Sequence, residues 1–492
     1  MPAPPSISTV LYAAYFVTTA GLLAYGLQGY VHLFLFALRH RALRAANADL
    51  LSRGAKIPDA ELPRVTTQLP LFNEPHVAER LLRAAAALDY PRDRHEIQVL
   101  DDSTDETRAI VDAVAAELRA AGHNFRVLRR EQRLGYKAGA LRDGMEAAAG
   151  EFFAIFDADF VPPPDFLRRT VPIFALRPGI GFLQTRWTHL NTRDSLLCEA
   201  QATGIDAHFL VEQTARAAGG LFMNFNGTAG VWRRRAIEDA GGWQDDTLTE
   251  DLDLSYRAQL AGWAPFYLPE VTVPGELPAS VGAYRQQQFR WAKGSIQTAC
   301  KLLPAVLAAP VPPLKKLFAF FHLTHFFVHL LLLLNCLLAL PILLWCRAAP
   351  PEPWFTIFCI AGGFTLSAPL VIYLVAWLNL PRAQRSRLRS VPAIILLGGG
   401  LALSNGRAVL EALLGVRSAF WRTPKTGGHA ARTPATRSFM PLLELALGVY
   451  ALIALLLFFA RGGWFLGPFL LVYVGGLLYL GVNDLRDQRD AG

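Results

Sequence analysis

Cysteine and charge are both scarce in this chain of 492 residues. None of its five cysteines stands in a C-x-x-C pair, so the sequence offers neither a zinc-site spacing nor a disulfide framework. Charged residues make up 18% of the chain, hydrophobic residues make up 52%, and the mean hydropathy is +0.27. This composition is too apolar for an average soluble protein. The net charge of +8 comes from basic residues beside apolar runs, which favours a membrane face and no nucleic-acid partner.

A dinucleotide-binding motif, internal repeats and low-complexity tails are also missing. No G-x-G-x-x-G follows the first predicted strand, so we expect no dinucleotide cofactor.

Long apolar runs stand near both ends of the chain. The first, residues 9–36, exceeds the roughly 20 residues that cross a bilayer, and no small-residue cleavage site stands out. We therefore interpret it as an anchor and not as a signal peptide. Arg39, Arg41 and Arg44 follow directly, which predicts that this helix ends in the cytoplasm. Four more spans are predicted over residues 317–345, 354–380, 440–460 and 462–482.

The apolar region 391–415 is ambiguous, because arginines flank it on both sides. A crossing helix would leave one basic cluster outside, whereas an interfacial or re-entrant segment leaves both inside. We therefore expect five crossings, with a sixth as the alternative.

Residues from about 62 to 280 alternate short apolar strands with helices of 10–15 residues. This pattern predicts βαβ units and a mostly parallel sheet. Strands are predicted over 64–71, 96–100, 125–128 and 151–156, and helices over 77–88, up to 121, from the GYKAGAL segment onward, and over 194–218. The stretch FNGTAGVWRRRAIEDAGGW, residues 225–243, is predicted to be a glycine-rich loop followed by a strand and a short helix.

The stretch EFFAIFDADF, residues 151–160, begins as a short apolar run and is therefore predicted to be a buried strand. Asp157 and Asp159 follow, and on a continuing strand their side chains would point to the same side. Paired carboxylates at the carboxyl edge of an α/β sheet mark a ligand site, and hard oxygen ligands suit Mg²⁺ or Mn²⁺. Alone, the pair also fits a plain acidic turn.

A second acidic cluster, Thr249-Glu250-Asp251, stands at a predicted helix start. A carboxylate there can act as a general base. It also fits an N-cap threonine with acidic residues placed against the helix dipole.

An amphipathic stretch, residues 284–303, carries QQQFRW, and we place it on the membrane surface. Trp291 offers a flat face to a sugar ring, and Arg290 offers a fork to phosphate oxygens. A plain amphipathic helix is the alternative.

Three weaker signals complete the set. Asp101 and Asp102 end a predicted strand, where a nucleoside can be bound, although a solvated turn fits equally well. Lys137 stands near a helix start and can meet phosphate, although a surface lysine fits too. The segment FWRTPK, residues 420–425, is a basic loop between membrane segments, as a positive-inside flank would be.

Seven blocks in order resemble the processive membrane members of glycosyltransferase family 2. They are PLFNE, QVLDDSTDET, GYKAGAL, AIFDADF, FNGTAGVWR, TEDLDL and QQFRW, and they span residues 62–300. The likeness is to cellulose synthases and, more closely, to the plant cellulose-synthase-like A and C proteins, which make mannan and glucan backbones. It implies an α/β GT-A domain, a Rossmann-like fold for nucleotide sugars, inserted in about five membrane spans plus interfacial helices.

The resemblance also implies roles for individual residues. Asp157 and Asp159 match the metal-binding D-x-D, and Asp251 matches the general base of T-E-D, with Glu250 beside it. The nucleotide-binding residues that it implies are Asn73, Glu74, Asp101, Asp102 and Lys137. The acceptor- and donor-binding residues that it implies are Gln287, Gln288, Arg290 and Trp291.

Phe420, Thr423 and Lys425 fit the F-x-x-T-x-K pattern of the cellulose synthase gating loop. Pro424 departs from that pattern and stiffens the loop. The chain also lacks a fused c-di-GMP-binding PilZ domain, so we expect no such control.

We therefore expect an inverting processive β-glycosyltransferase that extends a glucan or mannan from UDP-glucose or GDP-mannose and exports it. One alternative is a non-processive enzyme that adds sugar to a membrane lipid, and another is a transporter or scaffold without chemistry. The expected partners are the nucleotide sugar, the growing polysaccharide or a glycolipid, membrane lipids and possible export subunits.

The expected location is a membrane of the bacterial inner type, with the catalytic domain cytoplasmic. The expected divisions are an anchor and linker (1–60), the catalytic domain (61–282), an interfacial segment (283–312), two spans (313–381), an interfacial segment with the gating-type loop (382–438), and two spans with a short tail (439–492).

Overall fold

A computed structural model describes residues 7–346, 353–418, 427, 438–461 and 467–490. A seven-stranded sheet lies at the centre of its α/β domain, in the order β3-β2-β1-β4-β6-β5-β7. The strands are β1 (Val65–Leu71), β2 (His95–Asp101), β3 (Phe125–Leu128), β4 (Phe152–Ile155), β5 (Ile180–His189), β6 (Gly230–Arg233) and β7 (Ala264–Gly275). The four strands predicted before the D-x-D pair are confirmed, and so is the strand predicted within residues 225–243, which is β6. β5 and β7 extend the sheet beyond the predicted strands.

The sheet is mixed because β6 runs against its neighbours. β1 pairs in parallel with β2 and β4, β2 with β3, and β5 with β7, while β6 is antiparallel to both β4 and β5. Two reversals restore the original direction. The carboxyl ends of β2, β1, β4, β5 and β7 therefore meet at one edge of the sheet, which is where α/β sheets place ligands.

Helices cover both faces of the sheet, and the core lies in two layers. Along β4, Phe152 and Ala154 face one hydrophobic cluster while Phe153 and Ile155 face the other. This alternation is the two-residue period of a strand that is buried on both sides. The helices of the domain are α2 (Ala78–Ala86), α3 (Thr107–Ala120), α4 (Tyr136–Ala147), α5 (Phe166–Leu176), α6 (Leu196–Ala207), α7 (Thr214–Gly219), α8 (Arg234–Asp239) and α9 (Glu250–Leu260).

The helix predicted over residues 194–218 is helical but not uniform. A π-helical turn, His208–Gln213, joins α6 to α7, and Gly220, with φ +63°, ends α7. This composite helix packs against α1 (Ile7–Gly54), whose 48 residues make it about 72 Å long at 1.5 Å per residue. α1 is thus much longer than a bilayer is thick, and its end reaches the catalytic domain. There Asn47 donates hydrogen bonds to Tyr267 O (3.2 Å) and Glu270 Oε2 (3.0 Å).

Within the described ranges, five helices are long and apolar enough to cross a membrane. The helices outside the α/β domain are α1, α10 (Val281–Ala308), α11 (Pro313–Leu323), α12 (Phe327–Trp345), α13 (Trp354–Asn379), α14 (Val391–Gly400), α15 (Ala402–Leu413), α16 (Met440–Ala460) and α17 (Gly467–Asp490). The candidate spans lie on α1, α12, α13, α16 and α17. The span predicted over 317–345 is split, because α11 ends at Leu323 and α12 starts at Phe327.

The ambiguous region 391–415 forms a bent pair. α14 and α15 meet at an angle of 45°, the shape of a broken span or a re-entrant loop, so the number of spans is five or six. Gly400 and Gly476 allow α14 to lie against the backbone of α17, since a Cβ on Gly400 would stand 2.5 Å from Gly476 O.

Candidate active site

A cleft opens at the carboxyl edge of the sheet, between the ends of the strands and the helices α9 and α10. Ten of the residues singled out in the sequence line it: Glu74, Asp102, Lys137, Asp157, Asp159, Glu250, Asp251, Gln287, Arg290 and Trp291. These residues come from segments more than 200 positions apart in the chain. The fold therefore brings residues of six predicted blocks into a single space.

The carboxylates of the D-x-D pair lie in a turn and not on a continuing strand. β4 ends at Ile155, and the N–H of Phe160 donates to Asp157 O at 3.0 Å. The expectation that the two side chains lie on a continuing strand is therefore wrong. Both residues nevertheless line the cleft. The turn is held in place from two sides. Thr228 Oγ1 accepts the Asp157 N–H at 2.9 Å, and Asp159 O accepts the Glu276 N–H at 3.2 Å.

Lys137 stands at the start of α4 and joins the two acidic clusters. Its Nζ lies 2.5 Å from Asp157 Oδ1, 2.9 Å from Gly227 O and 3.9 Å from Glu250 Oε1. Burial lowers the pKa of Lys137, but the carboxylates of Asp157, Glu250 and Asp251 outweigh burial and raise it. The ammonium is therefore a fixed positive charge among three carboxylates.

Asp251 occupies the first turn of α9, where its Oδ1 accepts the N–H of Leu252 at 2.8 Å. Desolvation in the cleft raises the pKa of Asp251 to about 7, and the neighbouring carboxylate of Glu250 adds to the rise, while Lys137 opposes it. A carboxylate with such a pKa is a far stronger base than an ordinary aspartate and is poised to exchange protons near neutral pH. Gly227 lies close to it, at φ +82°, and a Cβ there would stand 2.9 Å from Asp251 Oδ2.

Close packing fixes α9 against α10. A Cβ on Gly294 of α10 would stand 2.6 Å from the side chain of Thr249, and the hydroxyls of Thr249 and Thr298 lie 3.2 Å apart. The acidic start of α9 is thus held against the helix that carries Gln287, Arg290 and Trp291. On α10 these three positions are spaced i, i+3 and i+4, so they share one face and all line the cleft. Gln288 is not among the lining residues.

At the β2 end of the cleft, two of the predicted residues support the wall and do not line it. Asp101 is 1% exposed, pairs with Arg129 at 2.8 Å and accepts the N–H of Ser103 at 3.0 Å. Asn73, with φ 54°, accepts the N–H of Thr104 at 2.8 Å. Both hold the loops around the cleft in shape.

Asp102 lines the cleft and is held by arginines that follow β3. Arg130 Nη2 lies 2.5 Å from Asp102 Oδ2, and Arg133 stacks 3.4 Å from the centre of the Phe72 ring. Sequence reasoning missed these arginines. The available signal was the motif RREQR directly after a predicted strand, at the same edge as Asp102.

Three more lining residues were missed, because they follow the strands that the sequence did not reveal. Trp187 and His189 end β5, and Glu276 follows β7. Glu276 is 7% exposed, pairs with Arg80 at 3.2 Å and accepts the N–H of Gly427 at 3.1 Å. Phe420, Thr423 and Lys425, the expected gating-loop residues, lie outside the described residues.

The donor set of the cleft fits a divalent cation shared with a substrate. In the described ranges, no three His, Cys, Asp or Glu side chains converge as a metal-binding group. Magnesium-type ions are commonly held by one or two carboxylates together with substrate phosphates. Asp157 and Asp159, whose oxygens are hard ligands at the open edge of the sheet, match that arrangement.

Comparison with known proteins gives matches over most of the chain. The family model "Glycosyltransferase like family 2" matches residues 63–294. Glucomannan 4-beta-mannosyltransferase 9 of Arabidopsis thaliana is 33% identical over 417 residues, which are 81% of this chain and 76% of the relative. Glucomannan 4-beta-mannosyltransferase 2 of the same plant is 44% identical over 243 residues, 49% of this chain and 46% of the relative. The chain spans about half to three fifths of the length of several such relatives from rice and Arabidopsis.

The fold also has a counterpart among solved structures. A mannosyltransferase from Pyrobaculum calidifontis, determined in complex with GDP-mannose and Mn²⁺, matches with a TM-score of 0.51 and 20% identity over 79% of this chain and 100% of that chain. The similarity is one of fold. Together with the mixed sheet and the apolar helices, it confirms the expected α/β nucleotide-sugar domain set in a helical membrane region.

Proposed function

This chain belongs to glycosyltransferase family 2, in the group of the plant glucomannan 4-β-mannosyltransferases, and on that premise we propose that it is an inverting processive β-mannosyltransferase that uses GDP-mannose. The relatives' names favour mannose over glucose, which the sequence alone left open. The product is a β-1,4-linked mannan or glucomannan backbone.

The diphosphate of the donor binds at the acidic turn after β4. Asp157 and Asp159 are the residues that would hold a Mg²⁺ or Mn²⁺ ion, and such an ion would supply positive charge to the leaving diphosphate. Lys137 adds a second positive charge from the start of α4, where its ammonium already contacts Asp157. The nucleoside lies toward β2, where Asp102 and its paired arginines stand, with Asp101 and Asn73 fixing the loops.

Asp251 acts as the general base. Its carboxylate takes the proton of the acceptor hydroxyl while that oxygen attacks the anomeric carbon from the face opposite the diphosphate. The new glycosidic bond forms as the bond from the anomeric carbon to the diphosphate oxygen breaks, so an α-linked donor gives a β-linked product. Asp251 ends the step as the protonated carboxylic acid, and the nucleoside diphosphate leaves with the bonding electrons. The raised pKa of Asp251 suits this task near pH 7.

The acceptor chain lies along α10, on Trp291, with Gln287 and Arg290 beside it. An aromatic face binds the apolar face of a pyranose ring and tolerates sliding, as a processive enzyme requires. Arg39, Arg41 and Arg44, which follow the apolar part of α1, support a cytoplasmic catalytic domain under the positive-inside rule. The polymer then leaves between the membrane helices, with or without an accessory export subunit.

The observation that carries the proposal is the convergence of Lys137, Asp157 and Asp251 on one cleft beside Trp291. The direct test is to supply the purified chain with radiolabelled GDP-mannose and, separately, UDP-glucose. We expect a polymer from GDP-mannose whose methylation analysis gives 4-linked mannose. A product of one or two sugars on a lipid would contradict the processive assignment.

A further inference from the structure

A histidine that neither the predicted motifs nor the proposed mechanism uses stands on the cleft wall. His189 is the last residue of β5, its side chain is 3% exposed, and it lines the cleft. Trp187 lies two residues earlier, on the same side of the strand, and lines the cleft too. The Trp187 ring is held by an edge-to-face contact with Phe160, at 5.0 Å between centroids. The end of β5 thus presents a fixed aromatic ring followed by an imidazole.

The imidazole is backed by a buried carboxylate. His189 Nε2 lies 3.4 Å from Asp206 Oδ1, and the other oxygen of Asp206 accepts a 2.7 Å hydrogen bond from Arg387. Within the part of the chain that the structure describes, Nε2 is buried and makes no well-formed hydrogen bond. Because a lone pair on Nε2 would face the carboxylate oxygen of Asp206, electrostatic repulsion favours the tautomer that carries its proton on Nε2. The ring then keeps a lone pair on Nδ1, which points away from Asp206.

The carboxylate itself is anchored to the membrane region. Arg387 belongs to a 3₁₀ turn, Arg382–Ser390, between α13 and α14. Arg389 pairs with Glu199 at 2.5 Å, and Ser390 meets Thr203 at 2.7 Å, so the turn is fastened along α6 next to Asp206. His189 is thereby fixed by contacts that reach beyond the catalytic domain. Such a supported orientation is typical of a side chain that positions a ligand.

The spacing of the strands indicates how far His189 lies from the site of bond formation. Neighbouring strands lie about 4.8 Å apart, so the ends of β2, β4 and β5 follow each other at steps of about 10 Å, with one strand between each pair. With the nucleoside at β2 and the diphosphate after β4, the end of β5 lies one step further on. That position is past the donor sugar and on the side of the acceptor.

We propose that His189, oriented by Asp206 and Arg387, forms an acceptor-sugar subsite in which its Nδ1 accepts a hydrogen bond from a pyranose hydroxyl of the acceptor chain. The inference rests on the proposed glycosyltransfer and adds a specificity-determining residue to it. Trp187 supplies the adjoining flat wall. A histidine of fixed tautomer requires a donating hydroxyl at that position and thereby selects how the acceptor sugar is turned.

Three substitutions at His189 separate the two ring nitrogens. His189→Asn retains a polar atom near the position of Nδ1, His189→Gln retains one near Nε2, and His189→Phe retains neither. We measure the KM of the acceptor with β-1,4-linked mannose oligosaccharides at saturating GDP-mannose, and the KM of GDP-mannose at saturating acceptor. Direct binding of the oligosaccharide is followed in parallel by calorimetry, with no donor present.

The expected result is an acceptor KM and dissociation constant raised roughly 3- to 10-fold by His189→Phe and His189→Gln, the loss of one hydrogen bond, and by less than that for His189→Asn. The KM of GDP-mannose shifts by less than twofold. Asp206→Asn removes the charge behind the imidazole ring. It should weaken acceptor binding by less than His189→Phe does. The matched control His123→Phe changes a half-buried histidine at the opposite edge of the sheet and leaves both constants unaltered.

An unchanged acceptor KM and dissociation constant in His189→Phe would overturn the subsite, and so would an equal change in the KM of both substrates. If the wild-type chain transfers no sugar, the proposed function fails, but the binding measurement still decides whether His189 contacts the oligosaccharide. The two failures are therefore distinguishable.

Discussion

The ammonium of Lys137 lies 2.5 Å from a carboxylate oxygen of Asp157, so a helix start and a strand end meet through one charge pair in the cleft. Both residues also stand near the acidic start of α9, since Lys137 Nζ is 3.9 Å from Glu250 Oε1. In this arrangement one cation offsets part of the repulsion within a carboxylate cluster that a diphosphate must approach.

Replacing Lys137 by Met should weaken the binding of the donor and also shift the pH dependence of kcat/KM. The ammonium lowers the pKa of Asp251, so its removal lets that pKa rise and moves the acidic limb of the pH–rate profile of kcat/KM to higher pH. The KM of GDP-mannose should increase about tenfold or more, as for a lost charge-assisted contact to phosphate. Lys56→Met, on the exposed surface, is the matched control. An unmoved acidic limb would show that Lys137 and Asp251 are not coupled.

Asp251→Asn should fold and bind GDP-mannose but turn over very slowly. The amide keeps the shape of the side chain and cannot accept the acceptor's proton, so kcat should fall by roughly 10²- to 10⁴-fold, the usual contribution of a general base. The measurement is a rate assay beside calorimetric binding of the donor. Asp93→Asn, an 81%-exposed side chain far from the cleft, should be normal in both. Near-normal turnover of Asp251→Asn would make the base assignment wrong.

The pKa of Asp251 also predicts opposite effects of pH on activity and stability. Activity requires the ionised carboxylate, so it should rise as the pH passes through about 7. The folded-state pKa is raised above the unfolded value, so the associated stability is present at low pH and is lost as the pH rises through about 7. Asp251→Asn cannot ionise and should therefore melt at a higher temperature than the wild type at pH 8.

A comparison of melting temperatures at pH 5 and pH 8 checks this prediction. The gap between Asp251→Asn and the wild type should be wider at pH 8 than at pH 5. A gap that stays constant, or one that narrows with rising pH, would mean that the carboxylate is not destabilised by its surroundings.

Removing one partner of the buried ion pair between α10 and α15 should cost more stability than removing the other. Lys293 Nζ is 2.7 Å from Glu411 Oε2, the Lys293 side chain is fully buried, and Glu411 has a second partner in Arg407 at 2.7 Å. Glu411→Gln leaves Lys293 as an unpaired buried charge and should cost about 3–5 kcal/mol. Lys293→Met leaves Glu411 paired with the 59%-exposed Arg407 and should cost less.

Unfolding by guanidinium in detergent measures both substitutions. Arg407→Gln, which breaks an exposed pair, should cost under about 1 kcal/mol and serves as the control. The double variant Lys293→Met with Glu411→Gln should be more stable than Glu411→Gln alone. Equal costs for the two single variants would contradict the asymmetry.

The first half of the sheet and the metal-type pair could be predicted from the sequence because their signals are local. Apolar runs that end in Asp101-Asp102 and Asp157-x-Asp159 mark buried strands and their carboxyl edge. β5 and β7 were not predicted as strands, because polar residues interrupt both of them and prolines interrupt β7. The two strands also pair with each other across about 80 residues of chain, which no local pattern reveals. His189, Trp187 and Glu276 depend on those strands, so no pattern near them pointed to the cleft.

The ion pairs that hold the site in place could not be predicted from the sequence either, because they join distant segments. Asp206 meets Arg387 across 181 residues, and Lys293 meets Glu411 across 118. Sequence spacing predicts which residues share a helix face but not which helices meet. The close approach of α14 to α17 at Gly400 and Gly476 is likewise a contact between distant segments.

The most direct test of the central claim, that one cleft brings a nucleotide sugar and the base Asp251 to a single anomeric carbon, is the anomeric configuration of the product. Proton NMR of a mannose oligosaccharide elongated by the purified chain from GDP-α-mannose should show β-linked mannose only, and no elongation by Asp251→Asn. An α-linked product, or β-linked product formed at a similar rate by Asp251→Asn, would contradict it.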